Sequence, residues 1–276
     1  MPELPEVETT KRALQPWICG AQLQTLEIHQ SRLRWPVPMY RDFPLKQTLH
    51  SLQRRGKYLI FYFPQTAILM HLGMSGSLRI VQDTEPRKKH DHLTFIFSRI
   101  NESSTQLIML RYHDPRRFGC VLLTQDPVSH PLIKNLGVEP LSNQFSPSFL
   151  QQHITQRATS IKSILMQANF VTGIGNIYAN EALFLARVRP DRPAKTISQK
   201  EAACITAAVK TVLTRAITQG GTTLRDFVSG NNHPGYFQQQ LHVYGRAGSA
   251  CRICQHPVQS EKQQGRSSFW CGKCQQ

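Results

Sequence analysis

The apolar pattern of this chain changes period once, and the change limits what each part can fold into. Up to Thr124 the apolar residues come in short runs: Ala21–His29, Leu49–Arg54, Lys57–Phe63, Ala67–Leu72, Ser77–Val81, His92–Phe97, Gln106–Tyr112 and Gly119–Thr124. They are rich in Ile, Leu, Phe and Tyr, and turn residues at Gly56, Pro64, Gly73, Gly76 and Pro115 punctuate them. Short strands at such spacing predict a β-sandwich. One helix, to about Trp17, precedes it, because Leu4, Val7, Leu14 and Ile18 recur at roughly helical spacing, with Gly20 to close. Between Gln125 and Ser148, Pro127, Pro131, Pro140 and Pro147 with Gly137 leave no room for a long regular element, so this is a connection. Beyond it the period is helical. Ser198-Gln199-Lys200-Glu201 is a capping box, and Ile205, Val209, Val212, Leu213, Ala216 and Ile217 form one apolar stripe that Gly220-Gly221 ends.

The cysteines separate into two groups. Cys19, Cys120 and Cys204 sit among apolar neighbours and read as small buried residues. Cys251-x2-Cys254 and Cys271-x2-Cys274 fall within the last 26 residues. Two such pairs predict one tetrahedral zinc site built from two turns. With all four positions filled by thiolates, no water is left to activate, so the single Zn2+ is expected to be structural. Between the pairs, Gly265-Arg266-Ser267 reads as a hairpin tip, where Arg266 alone would be a solvated surface cation. The predicted domains are a β-sandwich over 1–130, a linker over 131–148, a helical domain over 149–225, and 226–276 with a four-cysteine zinc finger from about 244.

Lys and Arg number 33 against 17 Asp and Glu, a net charge of +16. That imbalance calls for a polyanion, and no apolar run approaches the ~18 residues of a membrane span. Nucleic acid is the expected partner, with no membrane association and a cytoplasmic, nucleoid-associated location. In so basic a chain, three acids among the first eight residues stand out: Glu3, Glu6 and Glu8. Pro and Glu suit any helix start. A second reading is chemical. Met is commonly trimmed before Pro, which would give Pro2 a free secondary amine. An α-amino group has a pKa near ~8, well below Lys, so part of it is nucleophilic at neutral pH. Attack on an aldehyde-like carbon gives an iminium that cannot deprotonate at nitrogen, a durable electron sink, with the Glu3 carboxyl beside it to shuttle protons.

Pro2-Glu3-Leu4-Pro5-Glu6-Val7-Glu8-Thr9 resembles the opening of the formamidopyrimidine-DNA glycosylase family, and further motifs follow in that family's order to Cys274. The resemblance implies an α+β multidomain fold: a β-sandwich with an N-terminal helix, a helix–two-turn–helix domain, and a zinc-finger hairpin. It implies a monomeric glycosylase and abasic-site lyase for oxidised purines in double-stranded DNA, with Pro2 as nucleophile and Glu3 as proton donor. Lys57, by itself a strand-end charge, is then expected to approach the active-site phosphate and assist catalysis. Arg266 is expected at phosphates flanking the lesion, in both a catalytic and a DNA-binding role.

The turns His71–Ser77 and Asp114–Gly119 carry Met74, Arg116 and Phe118. Alone, they are compatible with Met74 and Phe118 in the core and Arg116 paired with Asp114. Exposed, they suit wedging between base steps, and the resemblance implies that they fill the gap left by an extruded nucleotide, with His71 also at the DNA. Val171–Tyr178 is a glycine-containing turn into a helix. Asn176 there reads as an N-cap, and by resemblance as a phosphate ligand. Lys162 matches a family lysine near the lesion, although a structural lysine fits as well. Gly220–Thr223 and Ser229–Tyr236 are polar, glycine-rich and consistent with a lid over an extruded base. Two other readings stay open: the endonuclease VIII branch, which prefers oxidised pyrimidines, and a zinc-containing DNA-binding protein without activity. Leu4 and both wedge loops favour the purine branch; Pro2-Glu3 speaks against the inactive protein.

Overall fold

A computed structural model describes residues 1–101, 104–221 and 237–276. The chain divides into two compact units, 1–134 with 220–236, and 135–219 with 237–276. No helix among the described residues is long and apolar enough to cross a membrane. The stretch read as a lid lies, from Thr222 to Tyr236, outside the described residues.

The first unit begins with α1 (Leu4–Ile18). Eight strands follow: β1 (Gln22–Ile28), β2 (Ser51–Arg55), β3 (Tyr58–Tyr62), β4 (Ala67–His71), β5 (Ser77–Val81), β6 (Asp91–Asn101), β7 (Ser104–His113) and β8 (Cys120–Thr124). They form two antiparallel four-stranded sheets, ordered β1-β6-β7-β5 and β2-β3-β4-β8. The short apolar runs punctuated by turn residues predicted this. Leu59 and Phe61 of β3 with Ile68 and Met70 of β4 face Phe95 and Phe97 of β6 and Leu110 and Tyr112 of β7 in one core. Val7, Leu14 and Ile18 of α1 join it, as the helical spacing required.

The helix is less amphipathic than expected at its start, where every residue from Leu4 to Thr10 is buried. Glu3, only 2% exposed, is its N-cap rather than part of the helix. The buried polar groups are partnered, as burial demands. The Glu3 amide donates to Glu6 Oε2 at 2.9 Å, and Thr9 and Thr10 hydroxyls donate to the Glu6 carbonyl. Glu8 accepts from Lys11, Arg12 and, 46 residues away, Arg54 Nε at 2.9 Å. These three cations outweigh burial and hold the Glu8 pKa below its usual value. The acids clustered in the sequence thus fix the start of α1 against β2.

The second unit holds α2 (Pro147–Ile154), α3 (Ile161–Leu165), α4 (Asn176–Leu185), α5 (Gln199–Thr218) and the hairpin β9 (Val258–Gln263)–β10 (Arg266–Cys271). Ser198 and Glu201 form the expected capping box of α5, and all six stripe residues are buried. The free cysteines differ from expectation. Cys120 is buried, Cys19 half-buried, and Cys204 exposed, because on α5 it lies one residue before Ile205, about 100° off the apolar stripe.

Candidate nucleic-acid interface and active site

Two loops of the first unit are locked together. The Asp114 carboxylate, fully buried, accepts from the Ser75 hydroxyl at 3.1 Å, the Tyr112 hydroxyl at 3.1 Å and the Gly119 amide at 2.9 Å. It also accepts from the Arg116 amide at 3.3 Å, while its own carbonyl is 2.7 Å from His92 Nε2. The loop after β4 therefore rests on the loop before β8. Their approach is so close that a Cβ on Gly73, at φ +65°, would stand 2.4 Å from the Gly119 nitrogen. Only glycine fits there.

That scaffold leaves Met74 39% and Phe118 45% exposed. Arg116 does not pair with Asp114 through its side chain; its guanidinium lies over the Phe118 ring at 5.1 Å, a cation–π arrangement. Of the two readings of these loops, the exposed one holds. His71 is set differently from a cationic ligand. Its Nδ1 accepts the Gly73 amide at 2.9 Å, which leaves the ring proton on Nε2. Burial, then Lys57 and Arg34, lower its pKa to about 4, so it is a neutral donor at physiological pH.

The chain start lies at the same place. A cavity of about 820 Å³ is lined by Met1, Arg34, His71, Met74, Arg116 and Phe118 among others. Pro2 and Glu3, which follow Met1 in the chain, are buried. The α-amine here belongs to Met1 and stands in for the Pro2 amine that trimming would expose one residue later. Burial lowers its pKa most; Glu3 and Glu6 oppose that, and Lys57 and Arg116 reinforce it. Partial burial, assisted by Lys57 and Arg116, prevails over the two acids and holds the amine toward its unprotonated, nucleophilic form. Pro2, Glu3, Lys57, His71, Met74, Arg116 and Phe118 are thereby brought together in one unit. Arg32, Arg34 and Arg117 also line the cavity, and sequence reading passed over them. The signal was available: Arg32-Leu33-Arg34-Trp35 interleaves cations with an aromatic, and Arg34 lies 4.9 Å from the Trp35 ring.

The remaining residues belong to the second unit. Arg266 is exposed, beside the hairpin turn. Asn176 is the first residue of α4 rather than its cap, which is Gly175; its amide donates to the Ser267 carbonyl at 2.9 Å. Lys162 is 3% exposed, and its ammonium donates to the Ser267 carbonyl at 3.0 Å and the Ser268 hydroxyl at 2.7 Å. Burial, with Arg266 nearby, lowers its pKa to about 8. Cys251, Cys254, Cys271 and Cys274 gather with their sulfurs within 4.8 Å of one another. The Cys254–Cys271 and Cys251–Cys274 separations are 3.4 and 3.9 Å, against roughly 3.8 Å for the edge of a tetrahedral zinc–thiolate site with 2.3 Å bonds. The cluster can hold a metal ion. Sequence reading also missed Glu181, a buried acid of α4 that accepts the amides of His242, Val243 and Tyr244 at 2.8–2.9 Å.

Comparison with known proteins gives a consistent result. The family model of the formamidopyrimidine-DNA glycosylase N-terminal domain matches residues 1–121, and that of the H2TH domain matches 136–228. Formamidopyrimidine-DNA glycosylase from Hahella chejuensis is 49% identical over the full length of both chains. A Lactococcus lactis FPG mutant solved with Fapy-dG-containing DNA has a TM-score of 0.89 at 32% identity, with all of both chains covered. The L. lactis protein in complex with abasic-site DNA has a TM-score of 0.88 at 32% identity, covering 99% of each chain.

Proposed function

This chain belongs to the formamidopyrimidine-DNA glycosylase family, and we infer that it excises oxidised purines, 8-oxoguanine and formamidopyrimidines, from double-stranded DNA and cleaves the abasic site that remains. The observation that carries this reading is an α-amine that partial burial holds toward its unprotonated form, next to Glu3 in the chain and in a cavity bordered by exposed Met74, Arg116 and Phe118.

With Met1 removed, Pro2 nitrogen attacks the sugar C1′ of an extruded nucleotide. Glu3 supplies the proton that opens the sugar ring, and the base departs. The resulting iminium withdraws electrons from C2′, so loss of a C2′ proton expels the 3′ phosphate; a second elimination expels the 5′ phosphate. Lys57, whose positive charge is felt at the amine, supports the amine's unprotonated form and neutralises phosphate. Met74, Arg116 and Phe118 occupy the space vacated in the duplex, with the neutral His71 offering a hydrogen-bond donor beside them. Asn176 and Arg266 bind backbone phosphate; one amide hydrogen of Asn176 is committed to Ser267 and the other serves DNA. The ion held by Cys251, Cys254, Cys271 and Cys274 is zinc, and it fixes the hairpin rather than entering the chemistry. The enzyme works where its substrate lies, on the nucleoid.

A substrate panel tests the assignment. Duplexes with 8-oxoguanine or formamidopyrimidine are expected to be nicked faster than thymine glycol duplexes, and Glu3→Gln to lose excision while binding abasic DNA. Faster turnover of thymine glycol overturns the purine assignment, and excision undiminished in Glu3→Gln removes Glu3 from the reaction.

A further inference from the structure

Lys162 and Asn176 both look, in sequence, like residues that would grip DNA. In the structure their polar heads meet on one atom, the carbonyl of Ser267, at 3.0 and 2.9 Å. We propose that Lys162 is a positioning residue, which with Asn176 braces the first residues of β10 and so aims Arg266 at the DNA backbone. The proposal builds on the DNA-binding role assigned to Arg266 above.

The brace answers a mechanical need. Arg266 and Gln263 are the last pair of a two-stranded ribbon, beyond which only Gln264 and Gly265 remain, both at positive φ. An isolated two-stranded ribbon is marginally stable and twists freely, so its own ladder does not fix where a tip side chain points. The contacts that do so come from α3 and α4. Lys162 holds Ser267 and Ser268; the Ser163 hydroxyl donates to Gln264 Oε1 at 3.0 Å; and the Phe269 amide donates to Asn180 Oδ1 at 2.8 Å. Side chains alternate along a strand, so Arg266 shares a face with Ser268, which is fully buried on Lys162. The ammonium thus sits under the face from which Arg266 projects. Its repulsion, which adds to burial in lowering the Lys162 pKa, favours a guanidinium turned outward to solvent. Lys162 itself is too buried to be a primary phosphate ligand, and two of its three donors are spent on the hairpin.

A residue that acts only through Arg266 has nothing left to do once Arg266 is gone. The test is a double-mutant cycle on the metal-loaded full chain, read as affinity for a duplex carrying a stable abasic analogue. Lys162→Met is expected to weaken binding about 10-fold in the wild-type background and less than about 2-fold in an Arg266→Gln background. Ser268→Ala keeps the ammonium but removes one anchor. It is expected to follow the same pattern at about 3-fold, and it carries the test if Lys162→Met folds poorly. Equal losses in both backgrounds, or no loss with Arg266 present, overturn the proposal. Binding judges the brace; strand cleavage by the wild-type protein judges the enzymatic reading separately.

Discussion

Removing the Glu181 carboxylate is the perturbation whose cost the structure defines most fully. Its two oxygens satisfy three consecutive backbone amides: His242 on Oε2 at 2.8 Å, Val243 and Tyr244 on Oε1 at 2.9 Å. The carboxylate is 2% exposed and Val243 is fully buried, so water cannot replace all three bonds without opening the segment. Each amide left without an acceptor costs roughly 1–3 kcal/mol. Partial hydration reduces the sum, and Glu181→Ala is expected to cost about 3–5 kcal/mol, a large share of a typical domain's stability. Glu181→Gln keeps an oxygen for Val243 and Tyr244 but sets an NH2 group against the His242 amide. Its expected cost is about 2 kcal/mol. Urea denaturation of the metal-loaded protein gives both values. Because Val243 packs with Cys251, Val258 and Cys271, thiol alkylation should also quicken in Glu181→Ala. A cost below about 1 kcal/mol, or a greater cost for Gln than for Ala, would refute the claim that this acid is a backbone clamp.

Three further outcomes follow from the same physics. Lys57 lowers the pKa of the terminal amine, so Lys57→Met should raise it; the acid limb of covalent trapping by abasic DNA then moves to higher pH, and an unmoved limb contradicts the coupling. Glu8 has a depressed folded-state pKa, so its contribution is present above the ordinary carboxylate pKa near ~4.3 and lost as pH falls through the lower folded value. Thermal melts of Glu8→Gln should therefore lose roughly 1–3 kcal/mol at neutral pH and approach the wild type in acid; a gap independent of pH would speak against the ion pairs. Chelation should release one metal ion and unfold the hairpin, since binding of a structural metal is folding free energy. Cysteine titration and mass spectrometry would follow it, and four thiols that stay protected after chelation would exclude the site.

Local patterns in the chain foretold the elements that local physics decides. The strands of the sandwich came from short apolar runs set off by turn residues, and α5 from Ser198, Glu201 and a stripe of fixed phase. Cys204 was misread because apolar neighbours were counted without that phase. The burial of Glu6 and Glu8 was hidden for another reason: the partner that lets Glu8 sit inside includes Arg54, far along the chain. Glu181 was invisible on the same ground, its partners lying 61 to 63 residues away at His242 to Tyr244, and so was the tie from Asp114 to Ser75, 39 residues away. Motif reading located Lys162 and Asn176 but said nothing of where their heads point. A donor in a basic protein looks like a phosphate ligand until its acceptor is seen, and for both that acceptor includes a backbone carbonyl.

The central claim is that the bond to deoxyribose forms at the chain's own α-nitrogen. Borohydride reduction of the protein mixed with abasic DNA, followed by peptide sequencing of the adduct, tests it directly. The account predicts one stable cross-link, at Pro2, in protein that has lost Met1, and none in protein that keeps it. A cross-link on a lysine, or equal trapping with Met1 in place, would contradict it.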